Sequence, residues 1–115
     1  MDKMQRARAE DFIARLGLTP REYEKKEHKG GYRLYVASSS KRPPRFGYVR
    51  LNVRGLHEGK LIVYANGDFR DPKNKFTAQP KNPKDAWYRF SPDDKDAMDY
   101  AVKVVKSAYT TSSRS

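Results

Sequence analysis

The chain has 115 residues and no cysteine, and its 25 lysines and arginines against 14 acidic residues give a net charge of +11. This length predicts one domain with a modest core, and the missing cysteines exclude disulfides and thiolate zinc sites. No apolar run approaches the roughly 18 residues that a membrane span needs, and residues 1–12 lack the apolar segment of a signal peptide. We therefore expect a cytoplasmic protein that does not use a membrane.

The positive charge is concentrated in the middle of the chain. Residues 29–90 hold fourteen basic and four acidic residues, whereas residues 1–28 and 91–115 are almost balanced. A field of one sign attracts polyanions, so nucleic acid is the first partner to consider and an acidic protein or anionic lipid the second. A basic surface that only aids solubility is the alternative.

The chain begins with a predicted helix over 3–16, which Asp2 caps and Gly17 ends. Its apolar residues recur at helical spacing on one stripe: Ala9, Phe12, Ile13 and Leu16. Residues 19–22 have the form of a capping box and predict a short helical turn. The next segment, "EYEKKEHK", fits either a helix or an edge strand.

Three strands follow, each with alternating apolar and polar residues. A turn signal at residues 29–31 precedes them, and the proline-containing segment 38–45 separates the first two. A hairpin loop with a glycine at each end, residues 55–59, separates the second and third. The predicted strands are 32–37, 46–54 and 60–66.

The last third is predicted as loop, strand and helix. Residues 67–85 are rich in Pro, Asn, Asp and Lys and predict a long loop of the kind that is often functional. A fourth strand covers 86–90, and Ser91 caps a helix with Pro92 at its first position. The apolar stripe of that helix is Ala97, Ala101, Val104, Val105 and Ala108. Residues 111–115 are expected to be a disordered tail.

This order of elements predicts an α+β fold in one domain, residues 1–110. We expect a two-layer sandwich, in which an antiparallel sheet of four to five strands carries the N-terminal and C-terminal helices on one face. The period of two then places one set of residues against the helices: Leu34, Val36, Val49, Leu51, Val53, Leu61 and Val63.

The opposite face of the sheet mixes arginines with aromatic rings. Arginine binds phosphate through two parallel hydrogen bonds, and exposed aromatic rings stack on bases. Two registers of the 86–90 strand are open, one that turns Trp87 and Arg89 outward and one that buries Trp87. Aromatic residues also favour strands for packing reasons alone. Basic loop residues at 41–45 and along 70–84, including Lys81 and Lys84, add phosphate-binding groups. The predicted nucleic-acid-binding residues are Arg33, Tyr35, Lys41, Arg42, Arg45, Tyr48, Arg50, Asn52, Arg54, Lys60, Tyr64, Arg70, Lys73, Lys75, Trp87 and Arg89.

Signals for catalysis are weak. His28 and His57 are far apart in sequence, and neither a phosphate-binding glycine loop nor a nucleophilic serine motif is present. Asp68, Asp71 and Asp85 could ligate Mg²⁺ in a metal-dependent nuclease, but aspartates in loops more often form turns. We therefore predict no catalytic residue, no metal and no cofactor.

The second half of the chain resembles an uncharacterised family of domains. That family is found at the C-terminus of bacterial proteins labelled "predicted transport protein" and beside nuclease-like domains. The similar segments are "KLIVYAN" (60–66), Asp71-Pro72, "AWYRF" (86–90) and "DAMDYAVKVVKSAY" (96–109). The arrangement also looks like the YjbR-like domains, and this resemblance implies DNA binding through a double-wing sandwich.

The sequence therefore predicts a non-enzymatic protein of phage or mobile-element type that binds DNA or RNA, with single strands favoured. The alternative is a protein-interaction module, such as a phage-type inhibitor, that binds an acidic protein through the same face.

Overall fold

A computed structural model describes residues 1–38, 41–65, 70, 72–82 and 85–114, with the backbone alone for 77–82 and 85–87. Two helices flank a set of strands in the chain. The elements are α1 (Lys3–Arg15), β1 (Tyr23–His28), β2 (Gly31–Val36), β3 (Arg45–Leu51), a 3₁₀ turn (Gly55–His57), β4 (Leu61–Ala65), β5 (Thr77–Asn82), β6 (Asp85–Phe90) and α2 (Lys95–Ser113).

The strands form one antiparallel sheet in the order β1-β2-β3-β4-β6-β5. α1 packs on β2 and β3, and α2 packs on β2, β3 and β4. The predicted α+β two-layer sandwich is confirmed. Lys29 and Gly30 join β1 to β2 with φ angles of 49° and 82°, the left-handed backbone that a two-residue hairpin loop needs. The predicted turn at this point is therefore confirmed.

The core lies between the helices and one face of the sheet. The predicted apolar stripes of both helices are buried there. The seven predicted inward residues of the strands also join this core, with Val53 partly buried at its edge. Phe46 adds a ring that the pattern did not assign, and it meets Tyr109 of α2 edge-on, with ring centroids 5.2 Å apart. Burial of this apolar surface is the main force that holds the two layers together.

The start of α1 follows the sequence signal closely. The side chain of Asp2 accepts a hydrogen bond from the Gln5 amide (2.7 Å), and the Gln5 side chain accepts one from the Asp2 amide (3.0 Å). This reciprocal pair satisfies two backbone N–H groups that have no acceptor within the helix. Gly17, with a φ of 69°, follows the last turn.

The sheet contains strands that the sequence did not identify. Residues 77–82 form β5, so the prediction of one continuous loop over 67–85 is wrong, and the sheet has six strands. β5 is an edge strand, the position in a sheet where Pro80 is tolerated. The undecided segment "EYEKKEHK" contributes β1 at the other edge. Residues 20–22 form a turn rather than a helix, in which the Glu22 side chain accepts from the Thr19 amide.

The second helix differs from its prediction at both ends. Its N-cap is Asp94, which accepts from the Ala97 amide (3.2 Å), so the assignment of the cap to Ser91 is wrong. The helix continues to Ser113, so the predicted disordered tail is wrong for 111–113. Hydroxyl groups of Thr110 and Ser113 bond to carbonyls one turn earlier there. Neither helix, within the residues described, is long and apolar enough to cross a bilayer.

Candidate nucleic-acid interface

The sheet face away from the helices carries rows of residues that the strand register defines. One row joins Arg33, Tyr48 and Tyr64, and position 87 continues it on β6. A second row joins Arg50, Ile62 and Arg89. Phe90 is buried in the core and Arg89 is only half-buried, so β6 has the register that the prediction associated with an outward Arg89. We call this surface the open face: Arg33, Tyr35, Arg45, Tyr48, Arg50, Ile62, Tyr64 and Arg89.

The rings of the open face are not available to bases. Tyr48 is 3% exposed, Tyr64 is 6% exposed, and Ile62 between two arginines is 1% exposed. The expectation that these two tyrosines face water is therefore wrong. Tyr35 is the exception among the described rings, since it is half-buried. Base stacking on Tyr48 and Tyr64 would require their present cover to move.

Charged groups lie over the aromatic rings. The guanidinium carbon of Arg45 is 5.1 Å from the centroid of Tyr64, and Nζ of Lys26 is 5.3 Å from that of Tyr35. These are cation–π distances, at which the ring attracts the charge and the side-chain stem covers apolar surface. Tyr35 and Tyr64 of the open face therefore pack beneath basic side chains.

Tyr48 is held by the β1–β2 hairpin. Its hydroxyl donates to the carbonyl of His28 (2.7 Å), and a Cβ added at Gly31 would lie 2.8 Å from that hydroxyl. Glycine at position 31 therefore leaves the space that the tyrosine needs. Burial raises the pKa of Tyr48, and the nearby charges of Arg50 and Arg33 oppose this shift.

His28 brings an imidazole to the open face beside Arg33. Nη2 of Arg33 lies 2.9 Å from Nε2 of His28. Arginine has no acceptor, so Nε2 accepts this hydrogen bond and the ring is neutral. Burial, followed by the charges of Arg33, Lys29 and Arg45, lowers the pKa of His28.

Three buried nitrogens have no hydrogen-bond partner among the residues that the structure describes. They are Nε of Arg50, Nε of Arg89 and Nδ1 of His57. His57 lies in the 3₁₀ turn between β3 and β4. Burial, followed by the charges of Arg89 and Lys60, lowers the pKa of His57.

Ion pairs distinguish the open face from the helix side of the molecule. In the described part of the chain, no ion pair involves Arg33, Arg50 or Arg89. Among the described residues, the ion pairs lie on the helix side of the molecule. They are Arg6–Glu27, Arg8–Asp93, Arg15–Asp11, Lys25–Glu10, Lys73–Asp96 and Lys75–Asp94.

A polar cleft of about 650 Å³ borders the open face where β3 ends. Lys29, Arg50, Asn52 and Arg54 line it together with Asp2 and Gln5 at the start of α1. Arg54 is exposed, and Asn52 is half-buried and pairs through its amide with the carbonyl of Lys60. Three predicted residues, Arg50, Asn52 and Arg54, therefore meet in one concave surface.

Other predicted residues lie elsewhere. Lys41 and Arg42 are exposed in the β2–β3 connection. Lys73 and Lys75 pair with Asp96 and Asp94 at the start of α2. Next to them, the amide of Arg70 donates to the hydroxyl of Tyr100 (3.0 Å). Residues 70 and 72–76 therefore pack on the helix side, away from the open face.

Some predicted positions fall outside what the structure describes. The side chains of Trp87, Lys81 and Asp85 and all of Asp68, Asp71 and Lys84 belong to this group. Within the described residues, no three His, Cys, Asp or Glu side chains form a group that could hold a metal ion.

Sequence reasoning missed Lys26 and His28 as members of this surface, and it did not place His57. Residues 23–28 were undecided between helix and strand, and only a strand places Lys26 and His28 on the face of Arg33. His57 lies in the 3₁₀ turn between β3 and β4, where no periodic pattern exists to assign its side chain.

Comparison with known proteins gives no further guide to this surface. The chain matches no protein-family model, no curated protein and no solved structure. The family resemblance seen in the sequence therefore stays a prediction.

Proposed function

We propose that this protein binds nucleic acid without catalysis, through contacts between the arginines of the open face and backbone phosphates. The observation that carries the proposal is that Arg33, Arg50 and Arg89 share one face and pair with no carboxylate of the described residues. Unpaired guanidinium groups bind phosphate oxygens with strong, charge-assisted hydrogen bonds.

The burial of Tyr48 and Tyr64 changes the expected mode of binding. Base stacking was the reason to favour single strands, and these two rings are covered. Phosphate contacts hold the backbone and carry little sequence information. The proposed binding is therefore electrostatic and largely independent of base sequence, and single-stranded and duplex forms both satisfy it.

Fluorescence anisotropy across a salt titration tests this function. Labelled single-stranded DNA, single-stranded RNA and duplex DNA of the same length and mixed sequence are the probes. Affinity is expected to fall with a slope of about −0.7 per contact for single strands and about −0.9 for duplex. Three duplex contacts then give a roughly 40-fold loss between about 50 and 200 mM salt.

The outcome that overturns the proposal is the absence of binding to all three probes at low salt. In that case the open face would need another anionic partner, and the acidic-protein alternative would replace nucleic acid. Cleavage of a probe that depends on Mg²⁺ would overturn the non-catalytic part of the proposal.

A further inference from the structure

The polar cleft where β3 ends collects basic side chains that no carboxylate of the described residues balances. Lys29, Arg50 and Arg54 line this one concave surface of about 650 Å³, and none of the three forms an ion pair in the described part of the chain. Asp2 also lines the cleft, but its carboxylate accepts the hydrogen bond of the Gln5 amide that caps α1 (2.7 Å). Lys29 and Arg54 are exposed, so an external anion can reach this excess of positive charge.

Gly30 makes room for two of the side chains in the cleft. A Cβ added at this position would lie 2.8 Å from Nε2 of Gln5 and 3.7 Å from Cδ of Arg50. The φ of Gly30 is 82°, in the left-handed region that glycine enters without strain. Glycine at position 30 therefore lets the end of the Gln5 side chain and the stem of Arg50 meet above the hairpin. Three elements of the fold thus come together in the cleft, namely α1, the β1–β2 turn and β3.

Lys29 has a backbone conformation that suits lysine poorly. Its φ is 49°, in the left-handed region where a side chain with a β-carbon is strained. The first position of a two-residue hairpin turn of this kind favours asparagine, aspartate or glycine. Conformation therefore does not explain a lysine at this position, whereas a role for its ammonium group at the edge of the cleft does.

Two side-chain amides add uncharged hydrogen-bonding groups beside the cations. Oε1 of Gln5 accepts from the Asp2 amide (3.0 Å), which leaves the Nε2 donor without a partner among the described residues. Asn52 is half-buried, and no described residue bonds to its side chain. Amides of this type donate to and accept from hydroxyl groups and the edges of bases. The cleft therefore offers cations for a phosphate and amides for the neutral part of the same ligand.

The size of the cleft and the shape of a phosphate narrow the ligand to a nucleotide. Sites for small molecules have volumes of about 300–1,000 Å³, and this cleft lies within that range. A carboxylate is planar and is satisfied by the fork of one arginine, whereas a tetrahedral phosphate can present a different oxygen to each of three cations. We propose that the cleft binds one nucleotide, whose phosphate contacts Lys29, Arg50 and Arg54. Gln5 and Asn52 then bind the sugar or the base.

This inference rests on the proposed function and deepens it, because it names the point at which one nucleotide of the bound strand is held. Arg50 belongs to both the open face and the cleft, so a strand that lies along the open face reaches the cleft. The nucleotide belongs either to such a strand or to a free nucleoside monophosphate, which carries the same phosphate. Adenosine 5′-monophosphate (AMP) is therefore the minimal probe.

The first test is an NMR titration of the wild-type chain with AMP, observed at the side-chain amide signals. The signals of Gln5 and Asn52 are expected to shift in a saturable way, and the signal of Asn74, which is exposed on the helix side, is expected to stay in place. Adenosine, which lacks the phosphate, and potassium chloride at the same ionic strength are the controls. Shifts that do not saturate, or that either control reproduces, would overturn the nucleotide site.

The second test separates a binding role of Lys29 from a structural one. K29N is expected to raise the Tm by a few degrees, because asparagine fits the left-handed backbone better. The same variant is expected to weaken the binding of AMP and of a 5′-phosphorylated oligonucleotide roughly five- to tenfold, and R54Q should cause a similar loss. K103Q on α2 removes one charge outside the cleft, and a loss below about twofold is expected for it.

The outcomes separate the cleft from the proposed function. If oligonucleotides bind but K29N and R54Q lose no more affinity than K103Q, the nucleotide site is wrong and the function stands. If AMP saturates the cleft but no oligonucleotide binds, the site takes a free nucleotide and the function is wrong. Tighter binding of a 5′-phosphorylated oligonucleotide than of its 5′-hydroxyl form assigns the cleft to a strand end. Equal binding of the two forms, with both weakened by K29N, assigns it to an internal nucleotide.

Discussion

The helix side and the open face of this protein use basic residues in different ways. On the helix side a carboxylate lies beside the charge, as in the Lys73–Asp96 (3.2 Å) and Arg15–Asp11 (3.3 Å) pairs. On the open face Arg45 lies over a tyrosine ring and Arg33 contacts a neutral histidine. The paired charges are balanced within the protein, whereas under the proposed function the arginines of the open face bind an external anion.

The two faces of the sheet are nevertheless similar in burial. Leu61 and Ile62 are neighbours on β4 and point to opposite faces, yet they are 0% and 1% exposed. Helices exclude water from Leu61. Ile62 lies on the open face, which neither helix covers, and it is nevertheless as dry as Leu61. A sheet face that carries many charged residues can therefore still exclude water from an apolar residue such as Ile62.

Ile62→Ala tests this similarity and should have the largest effect. We expect it to lower the free energy of unfolding by about 2–4 kcal/mol, close to the effect of Leu61→Ala, because each removes a fully buried aliphatic side chain. Urea denaturation of both variants measures the difference. A loss below about 0.5 kcal/mol for Ile62→Ala, in the range of an exposed position, would show that the open face is wet.

Because the open face and the helix side differ in how their basic residues are paired, two triple variants should have unequal effects on binding even though each removes three positive charges. R33Q/R50Q/R89Q on the open face should weaken nucleic-acid binding roughly 30- to 100-fold and reduce the salt slope by about 2–3. K73Q/K75Q/K103Q on the helix side should change affinity by less than about threefold. Anisotropy at one salt concentration measures both.

Equal losses from the two triples would remove the distinction between the faces. Binding would then follow net charge alone, as expected of a basic surface that serves solubility. Circular dichroism and thermal melts of both triples are needed beside the affinities, because Arg50 and Arg89 are register neighbours of the buried Ile62 and their replacement can also destabilise the sheet.

Asp94 tests the helix side by itself. It caps α2 and accepts from Lys75, and the amide of Ala97, followed by Lys75, lowers its pKa. A lowered pKa stabilises the fold above the unfolded value of about 4, and that contribution is lost as the pH falls through the folded value. We expect Asp94→Ala to lower the Tm by several degrees at neutral pH, and its difference from wild type to shrink in acid.

Asp99→Ala is the control for Asp94, since Asp99 lies on the same helix and is exposed. Its melting curve should follow that of the wild-type protein at every pH. If both variants lose the same amount at neutral pH, the capping and the ion pair of Asp94 do not explain the stability of α2.

The elements that the sequence predicts well are those with local physical signals. Asp2 and the apolar stripe of α1 define that helix within one residue of its observed end. β5 was missed because Gln79, Pro80 and Lys81 are poor strand formers, and only the pairing of β5 with β6 makes it a strand. Pairing of this kind depends on distant residues, which a local pattern does not contain.

The candidate site was predicted in part for the same reason. The period of two assigns Arg50 and Tyr48 to one face, and the strand register agrees. It does not say what lies on top of that face. One contact of the buried Tyr48 is with His28, twenty residues earlier, and one charge over Tyr64 comes from Arg45 on the neighbouring strand. Alternation therefore predicts direction, and tertiary contacts decide exposure.

The histidines of the open face give the last and smallest prediction, a pH dependence that has opposite signs for binding and stability. Burial and neighbouring cations lower the pKa of His28 and His57. A bound polyanion favours the protonated rings, so affinity should rise roughly two- to fivefold from about pH 8 to pH 6. The free protein should lose stability over the same fall through about pH 6.5, because the unfolded chain takes up these protons more readily. H28Q/H57Q should flatten both curves, whereas the helix-side triple variant should keep both slopes. An affinity that is constant with pH in the wild-type protein would mean that no bound phosphate lies near either imidazole, and the assignment of binding to the open face would lose its support.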